Sequence, residues 1–271
     1  MTLFFTRYMR LTGLVAAVLL GTFNAASSQT VIADTSDRRT LYEFCQDFQQ
    51  LYVEIREQTV SPDSARMRFS SIMHGLQARL RSDEDTLKQD SVSVLKAAVG
   101  AMVFPLRNYT PKAIGGTHGE GYRDKGFDLF DYKVRGSHPA HDIFITDRNQ
   151  DSVDDKTGER VDVVAMTAGI VLGIETGWQP GSEYRGGNWI WIYDPVLHGL
   201  FYYAHNKVVA VTPGQWVRAG QKISEVGRTG FNAYNPRSPT HLHLMYLAIQ
   251  PNGLPVPRNT YTWLLTANLA N

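Results

Sequence analysis

The chain has 271 residues, of which 43% are apolar, so it is long enough for one large domain or two small ones with a hydrophobic core. Its 27 lysines and arginines nearly balance its 26 aspartates and glutamates. This balance argues against a nucleic-acid-binding protein and against a polybasic membrane-surface protein, because both need an excess of positive charge.

The first 29 residues have the composition of a signal peptide. Arg7 and Arg10 make the start positive, and the apolar run LTGLVAAVLLGTF that follows is too short for a comfortable membrane span. Small residues at positions 25–28 offer a cleavage site, and no cysteine follows that would indicate a lipoprotein. The sequence therefore predicts an exported protein, periplasmic or extracellular, with an uncleaved N-terminal anchor as the alternative.

Residues 30–100 are predicted to form a helical hairpin or a short bundle. Apolar side chains recur at three- and four-residue steps in the first helix: Leu41, Phe44, Cys45, Phe48, Leu51, Tyr52 and Ile55. Ser61 followed by Pro62 marks the start of a second helix, which is expected to end near Leu80. A third helix is predicted over residues 86–98.

The helical region carries no evident chemistry. Its single cysteine, Cys45, lies in the apolar pattern and is expected to be a small buried side chain rather than a catalytic thiol. We therefore expect the region to be dispensable for chemistry, and it is a candidate for dimerisation or for contact with a protein partner.

Residues 101–271 are predicted to form a mainly β domain. Trp189, Trp191 and Tyr193 alternate with Ile190 and Ile192, as in a strand with two distinct faces. Further short strands are predicted at 161–174, 200–204, 207–211 and 241–249, separated by close turns. The pattern favours a compact antiparallel sheet or a barrel-like fold. With the N-terminal helices, the protein is expected to be α+β overall.

Five polar side chains of the β region are candidates for a metal site. His138 and Asp142 are four residues apart in HPAHD, and His241 and His243 are two apart in THLHL, so each pair can share one face of a strand. His205 ends the predicted strand FYYAH. Two histidines and a carboxylate around an open position are the usual ligands of catalytic zinc. The other histidines, His74, His118, His141 and His198, are interpreted as surface or structural side chains.

The segments HPAHDI, YYAHN, GQWVRAGQKISEVGRTG and HLHL resemble the lysostaphin or LytM-type metallopeptidases, over roughly residues 101–255. The resemblance implies a zinc-dependent endopeptidase that hydrolyses the peptide cross-links of bacterial peptidoglycan. It implies one zinc ion per chain, bound by His138, Asp142 and His243. It also implies that His205 and His241 act on the water and on the transition state, without settling which of them is the general base.

Two loops carry further hypotheses. Asp147, Asn149, Asp151 and Asp155 place oxygen donors at the spacing of a calcium loop, although the glycine and the final glutamate of such loops are missing. The alternative is a solvated acidic turn. Residues 185–188, with the sequence RGGN, are interpreted either as part of a substrate groove or as a plain hairpin turn.

Other functions remain open from the sequence. Two histidines and a carboxylate also hold iron in oxygenases, although usually with HxD rather than HxxxD spacing. The same fold can serve a cell-wall-binding regulator without catalysis, which the intact candidate metal set argues against. A biotinyl-type carrier barrel would need an exposed, modified lysine, for which Lys222 is poorly placed.

Overall fold

The computed structural model describes residues 39–86, 102–133 and 136–270. Its helices are α1 (Leu41–Glu57), α2 (Pro62–Thr86), a 3-10 turn (Pro111–Ala113) and α3 (Tyr261–Thr266). Its strands are β1 (Ala140–Phe144), β2 (Asp162–Val164), β3 (Gly169–Ile174), β4 (Ile190–Asp194), β5 (Gly199–Ala204), β6 (Asn206–Val209), β7 (Trp216–Val217), β8 (Lys222–Val226), β9 (His241–Ile249) and β10 (Pro255–Pro257). The predicted signal peptide, and the predicted third helix after Thr86, lie outside the described residues.

The two long helices begin where the sequence predicts. The hydroxyl of Thr40 accepts a hydrogen bond from the backbone N–H of Glu43, whose carboxylate accepts one from Thr40 in return, so a capping box starts α1. Pro62 lies in the first turn of α2. This helix continues past its predicted end near Leu80, since the following RSDEDT contains no glycine or proline to stop it. Neither helix carries an apolar stretch that could span a bilayer, within the residues described.

The strands form antiparallel sheets, as predicted. Among the described residues, a seven-stranded sheet has the order β1-β9-β5-β4-β3-β7, with β10 also paired to β9, and a three-stranded sheet has the order β2-β8-β6. The sequence left an open sheet and a barrel as alternatives. In the described part of the chain the large sheet stays open, because β1 and β7 lie at opposite ends of the strand order and do not pair.

The large sheet buries both of its faces. Trp189, Trp191 and Tyr193 pack in one core with α1 and α2, whereas Ile190 and Ile192 pack in a second core with the small sheet. This confirms the alternation that the sequence predicts for β4, because successive side chains of a strand point to opposite faces.

Helix α1 packs directly against β3. Cys45 is fully buried, with its thiol 3.5 Å from the carbonyl of Val171, and burial raises its pKa to about 11, as expected for an unreactive packing residue. The side-chain amide of Gln49 donates to the carbonyl of Ile174 (2.9 Å) and accepts from its N–H (2.8 Å). The described residues accordingly form one compact unit, in which the helices share a core with the sheet.

We expect Phe48→Ala to reduce the free energy of unfolding by about 3–5 kcal/mol, the usual cost of emptying a buried aromatic site. Phe48 is 2% exposed and contacts both Phe69 of α2 and Trp191 of the sheet. Urea denaturation measures the change. The matched control is Tyr42→Ala, because Tyr42 also lies on α1 but is 55% exposed, and we expect a change within about 0.5 kcal/mol. Equal stabilities for the two variants would contradict the packing of α1 on the sheet.

The shared core also qualifies the expected dispensability of the helices. A chain that begins near position 101 would lack Phe48 and its neighbours and would expose Trp189 and Trp191 to water. We therefore expect that truncation to be poorly folded, although none of the five candidate site residues lies in the helices.

Candidate metal centre and active site

The candidate site lies on the face of the large sheet against which α1 packs. Asp142 of β1 is the cross-strand partner of His243 in β9, and His243 is also the partner of Ala204 in β5. His241 and His243 alternate with Leu242, which belongs to the opposite core. Strand alternation therefore directs both histidines to the face on which Asp142 lies.

His138 reaches the same place without belonging to the strand. The sequence put His138 and Asp142 on one continuous strand, but β1 begins only at Ala140. Pro139 has no N–H for a ladder hydrogen bond, which favours a break in the strand at this point. His138 instead forms an isolated bridge with Arg123, and its Nδ1 donates to the carbonyl of Gly121 at 2.8 Å. Its Nε2 is left to face Asp142.

His138, Asp142 and His243 offer three ligand atoms that lie within 4.8 Å of one another. Oδ1 of Asp142 is 3.3 Å from Nε2 of His138 and 3.0 Å from Nδ1 of His243. Each of the three side chains is partly buried. No other group of this kind occurs in the parts of the chain that the structure describes.

The charges at this cluster fit a cation. Burial opposes ionisation of Asp142, but hydrogen bonds and charge from His138 and His243 outweigh it and hold the carboxyl pKa well below its usual range. Burial likewise opposes protonation of His138, yet Asp142 raises its pKa. Burial lowers the pKa of His243 despite the same carboxylate. A buried carboxylate that stays ionised next to two imidazoles is the donor set expected of a divalent metal site.

His205 and His241 lie beside the cluster and are held in the same way. Nδ1 of His205 is 2.8 Å from the carbonyl of Thr229, and Nδ1 of His241 is 2.7 Å from the carbonyl of Pro239. A carbonyl can only accept, so both Nδ1 atoms carry the proton and Nε2 is the free position of each ring. The two ring centroids are 4.9 Å apart, and Nε2 of His241 is 3.6 Å from Oδ1 of Asp142.

His205 adopts an unusual backbone conformation. It follows the last residue of β5 with φ 68°, in the left-handed region, and its side chain is 8% exposed. The pKa of its imidazole lies well below the ordinary value, mainly because the ring is buried and secondly because His241 and His243 are close to it. We therefore expect His205 to be neutral near pH 7 and able to accept a proton.

The remaining described histidines lie elsewhere, as the sequence predicts. His141 points away from Asp142, between the rings of Tyr122 and Tyr261, and its Nε2 contacts the amide oxygen of Asn259 at 2.9 Å. The other three do not line the groove around the candidate site: His74, His118 and His198.

The calcium hypothesis gains no support from the acidic loop. Asp147 is 8% exposed, and its carboxylate accepts hydrogen bonds from the backbone of Asp151 and Ser152 and from the hydroxyl of Thr240. A backbone N–H also donates to Asp155, and the Asn149 amide donates to Asp151. These oxygens therefore organise the loop itself. The bond from the Thr240 hydroxyl to Asp147 also holds the backbone in place next to His241.

A groove of about 350 Å³ opens around the five residues. Tyr52, Ile55 and Arg56 of α1 line one side, so this helix, in which the sequence indicates no chemistry, forms a wall of the site. Arg185 and two glycines line another side, so RGGN borders the groove, and its contact with a substrate stays a prediction. Gly187 has φ 64°, and a Cβ there would lie 2.2 Å from the backbone of Thr229, so only glycine fits.

Sequence reasoning missed the groups that orient the histidines. The carbonyls of Gly121, Thr229 and Pro239 each fix one Nδ1, and a carbonyl leaves no trace in the residue type. It also missed the contribution of α1 to the groove. The apolar spacing of Tyr52 and Ile55 could have indicated burial, but not which cavity these side chains meet.

Several solved structures are similar to this chain. The catalytic domain of the antimicrobial peptidase lysostaphin from Staphylococcus simulans is 25% identical, with 53% of this chain and 90% of that chain covered and a TM-score of 0.36. A larger lysostaphin structure from the same organism is 22% identical, with 62% and 56% covered and a TM-score of 0.38. A LytM protein from Ruminococcus gnavus is 20% identical, with 85% and 97% covered and a TM-score of 0.42. The chain thus spans little more than half of the larger lysostaphin.

The family model of peptidase family M23 matches residues 148–256. This segment contains β2 to β9, most of β10 and three of the five site residues, His205, His241 and His243. Both remaining site residues lie just before it: Asp142 in β1, which pairs with β9, and His138 two residues ahead of that strand. The chain is thus similar to peptidase family M23 across most of the sheet that carries the site.

Proposed function

We propose that the protein is a zinc-dependent endopeptidase that hydrolyses peptide cross-links of bacterial peptidoglycan. The observation that carries the proposal is the convergence of three metal-ligating side chains with two oriented histidines in one groove. The match to the model of peptidase family M23 supports peptide hydrolysis as the reaction.

The donor set fits zinc. His138, Asp142 and His243 supply two imidazole nitrogens and a carboxylate, which is a common protein ligand set of catalytic zinc sites, and the fourth position is left for water or substrate. When bound, Zn²⁺ supplies Lewis-acid chemistry, since it polarises a carbonyl and lowers the pKa of water to about 7.

Residues of the chain itself would transfer the proton of the attacking water and stabilise the negative charge that develops on the carbonyl oxygen. A neutral imidazole at His205 or His241 can accept a proton from the attacking water at Nε2 and pass it to the leaving amine. The other imidazole, with Nε2 protonated, can donate a hydrogen bond to the oxygen on which negative charge develops. Because both Nδ1 atoms are tied to carbonyls, neither ring has to reorient during the reaction.

The groove also fits a peptide. Helix α1 lines it on one side and the RGGN turn on the other, and the glycines at 186 and 187 let that turn pack closely against Tyr202 and Thr229. Tyr52 and Tyr202 place aromatic rings in its wall, within 6.4 Å of each other. A peptide is therefore expected to lie across the sheet face, between α1 and the turn.

The competing functions find less support. Lys222 lies within β8, where it forms ion pairs with Asp162 (2.7 Å) and Glu225 (2.9 Å), so it is not the free lysine of a carrier. An iron enzyme would show iron rather than zinc in metal analysis of the purified protein. A regulator without catalysis would bind sacculi and release no fragments.

Digestion of purified sacculi tests the proposal. We expect the zinc-loaded protein to release soluble fragments whose new amino and carboxyl termini lie in the cross-link peptides, as identified by mass spectrometry. Protein treated with a chelator and then resupplied with zinc serves as the control and should regain the activity. New reducing sugar ends without new peptide termini, or no release by zinc-loaded protein, would contradict the proposal.

We further propose that the protein acts outside the cytoplasm, where peptidoglycan lies. The support is the signal-peptide pattern of residues 1–29. N-terminal sequencing of the protein recovered from the periplasm or the medium tests it. A start near position 29 is expected, and retention of the whole chain in the cytoplasm would contradict it.

A further inference from the structure

A second concave surface lies next to the catalytic groove. It has a volume of about 500 Å³ and is lined by side chains from three segments, 149–150, 178–182 and 228–236. Three aromatic side chains line it, Trp178, Phe231 and Tyr234, and we call it the aromatic pocket. Phe231 is 58% exposed and Tyr234 is 51% exposed. Large apolar side chains clustered in an exposed concavity are typical of a binding site.

The aromatic pocket has a fixed floor. Trp178 is only 8% exposed, and its indole N–H donates to the carbonyl of Tyr184 at 3.1 Å. Its backbone N–H donates to the side chain of Asn188 at 3.1 Å. The ring of Tyr234 lies 5.5 Å from the Trp178 ring at 57°. The floor is thus oriented before any ligand binds, which reduces the entropy lost on binding.

The aromatic pocket is lined mainly by uncharged polar groups. Arg228 is the one charged side chain among its lining residues, and its guanidinium donates to the carbonyls of Ser238 and Asn235 and to the hydroxyl of Thr240. The other polar lining side chains carry amides or hydroxyls: Asn149, Gln150, Asn235, Ser182 and Tyr234. Such a surface favours a neutral ligand with both apolar faces and hydrogen-bonding groups.

A sugar ring has this combination. The C–H groups on the faces of a pyranose can stack on aromatic rings, while its hydroxyl and acetamido groups bond to amides and hydroxyls. A positively charged peptide would find no carboxylate among the lining residues of the aromatic pocket, and the guanidinium of Arg228 already donates to three oxygens of the chain. A purely apolar ligand would make no use of the amide groups that line the aromatic pocket.

One loop connects the aromatic pocket to the catalytic groove. Phe231 and Tyr234 line the former, whereas Asn232 and Ala233, which lie between them in sequence, line the latter. In peptidoglycan the peptides are attached to a glycan strand of amino sugars. A substrate peptide in the groove would therefore bring part of its glycan close to this loop.

We propose that the aromatic pocket binds an amino-sugar unit of the glycan strand to which the substrate peptide is attached. The inference rests on the proposed peptidoglycan substrate. It adds a binding site outside the groove that holds the scissile peptide, with Phe231 and Tyr234 as its stacking residues.

Calorimetric titration with peptide-free oligomers of β-1,4-linked N-acetylglucosamine tests the proposal independently of hydrolysis. We expect the zinc-loaded full chain to bind them, and Phe231→Ala and Tyr234→Ala each to weaken binding by about threefold to tenfold, the scale of one aromatic contact. Tyr234→Phe keeps the ring and should retain most of the affinity. Tyr42→Ala removes a tyrosine of similar exposure on α1, outside both cavities, and should bind as the unsubstituted protein does.

Kinetics give the second readout. With intact sacculi we expect both alanine variants to raise KM by a similar factor and to leave kcat unchanged, because the sugar lies away from the reacting bond. With a glycan-free cross-linked peptide, both parameters should be unchanged. An equal loss on the glycan-free peptide would show that the aromatic pocket holds peptide, and would overturn the proposal.

The two proposals can fail separately. Unaltered oligomer binding in Phe231→Ala and Tyr234→Ala, or no binding by the unsubstituted protein, overturns the sugar site even if sacculi are digested. Oligomer binding that the two variants weaken supports the sugar site even if no peptide bond is cut, in which case the proposed hydrolysis is wrong.

Discussion

Substitution of Asp142 by alanine is expected to remove zinc and to abolish peptidoglycan hydrolysis. Oδ1 of Asp142 lies within hydrogen-bonding distance of both His138 and His243, and the carboxylate is the one negative charge in the candidate ligand set. Loss of groups that only support a metal ligand commonly costs 10–100-fold in metal affinity, so we expect loss of the ligand itself to cost about 100-fold or more. Zinc content by mass spectrometry after dialysis, and release of fragments from sacculi, measure the two effects.

Asp142→Asn separates charge from shape. The amide keeps the volume and one acceptor oxygen, yet lacks the negative charge, so we expect zinc binding to be nearly as weak as in Asp142→Ala. Asp131→Asn is the matched control for metal content, because Asp131 also lines the groove but is not among the converging ligands. An Asp142→Ala protein that is folded, holds one zinc ion per chain and remains active would refute the assigned metal site.

Substitution of His205 or His241 is expected to reduce turnover while leaving zinc in place. Neither residue belongs to the converging ligand set, and each has its free Nε2 in the groove. We expect kcat to fall by about 100-fold or more, the usual loss for a positioned acid-base or charge-stabilising group. His205→Asn suits the first position because asparagine tolerates the positive φ of 68°. His241→Ala suits the second, which lies in a strand.

His198→Asn is the matched control for both histidines. His198 also has a positive φ, of 49°, but is exposed in the turn before β5. Zinc content, melting temperature and kcat are to be measured on the same preparations. Variants that lose stability in proportion to activity would show that the two histidines only pack in the sheet. Full turnover in a folded, zinc-loaded His241→Ala protein would contradict the proposed mechanism, even with a correct metal site.

The sequence by itself predicted the parts of the fold and site that depend on local periodicity. The alternation of Trp189, Trp191 and Tyr193 with Ile190 and Ile192 predicted a strand with two distinct faces, which the structure confirms and shows to be buried on both sides. The same rule placed His241 and His243 on one face. The helical spacing from Leu41 to Ile55 predicted α1 and the burial of Cys45. These features can be read from sequence because strand and helix periods are fixed by backbone geometry.

Only the tertiary structure decided what the loops do. The spacing of oxygen donors at 147–155 is the same whether they bind calcium or accept backbone N–H groups, and the fold uses Asp147 to bond Thr240. The position of His138 likewise depends on its bridge to Arg123, because β1 starts after Pro139. Such contacts join residues whose separation along the chain gives no periodic signal.

Tertiary structure also decided which residues share the groove. His138 and Asp142 meet His243 only because β1 pairs with β9 in a register that sets Asp142 opposite His243, about a hundred residues further along the chain. Tyr52 of α1 joins them because the helix buries its apolar face on the same side of the sheet. The sequence determined which side chains were suited to the chemistry. The long-range pairing of strands, and the packing of a helix across them, determined where those side chains meet, since hydrophobic burial is non-directional and does not encode a partner in local sequence.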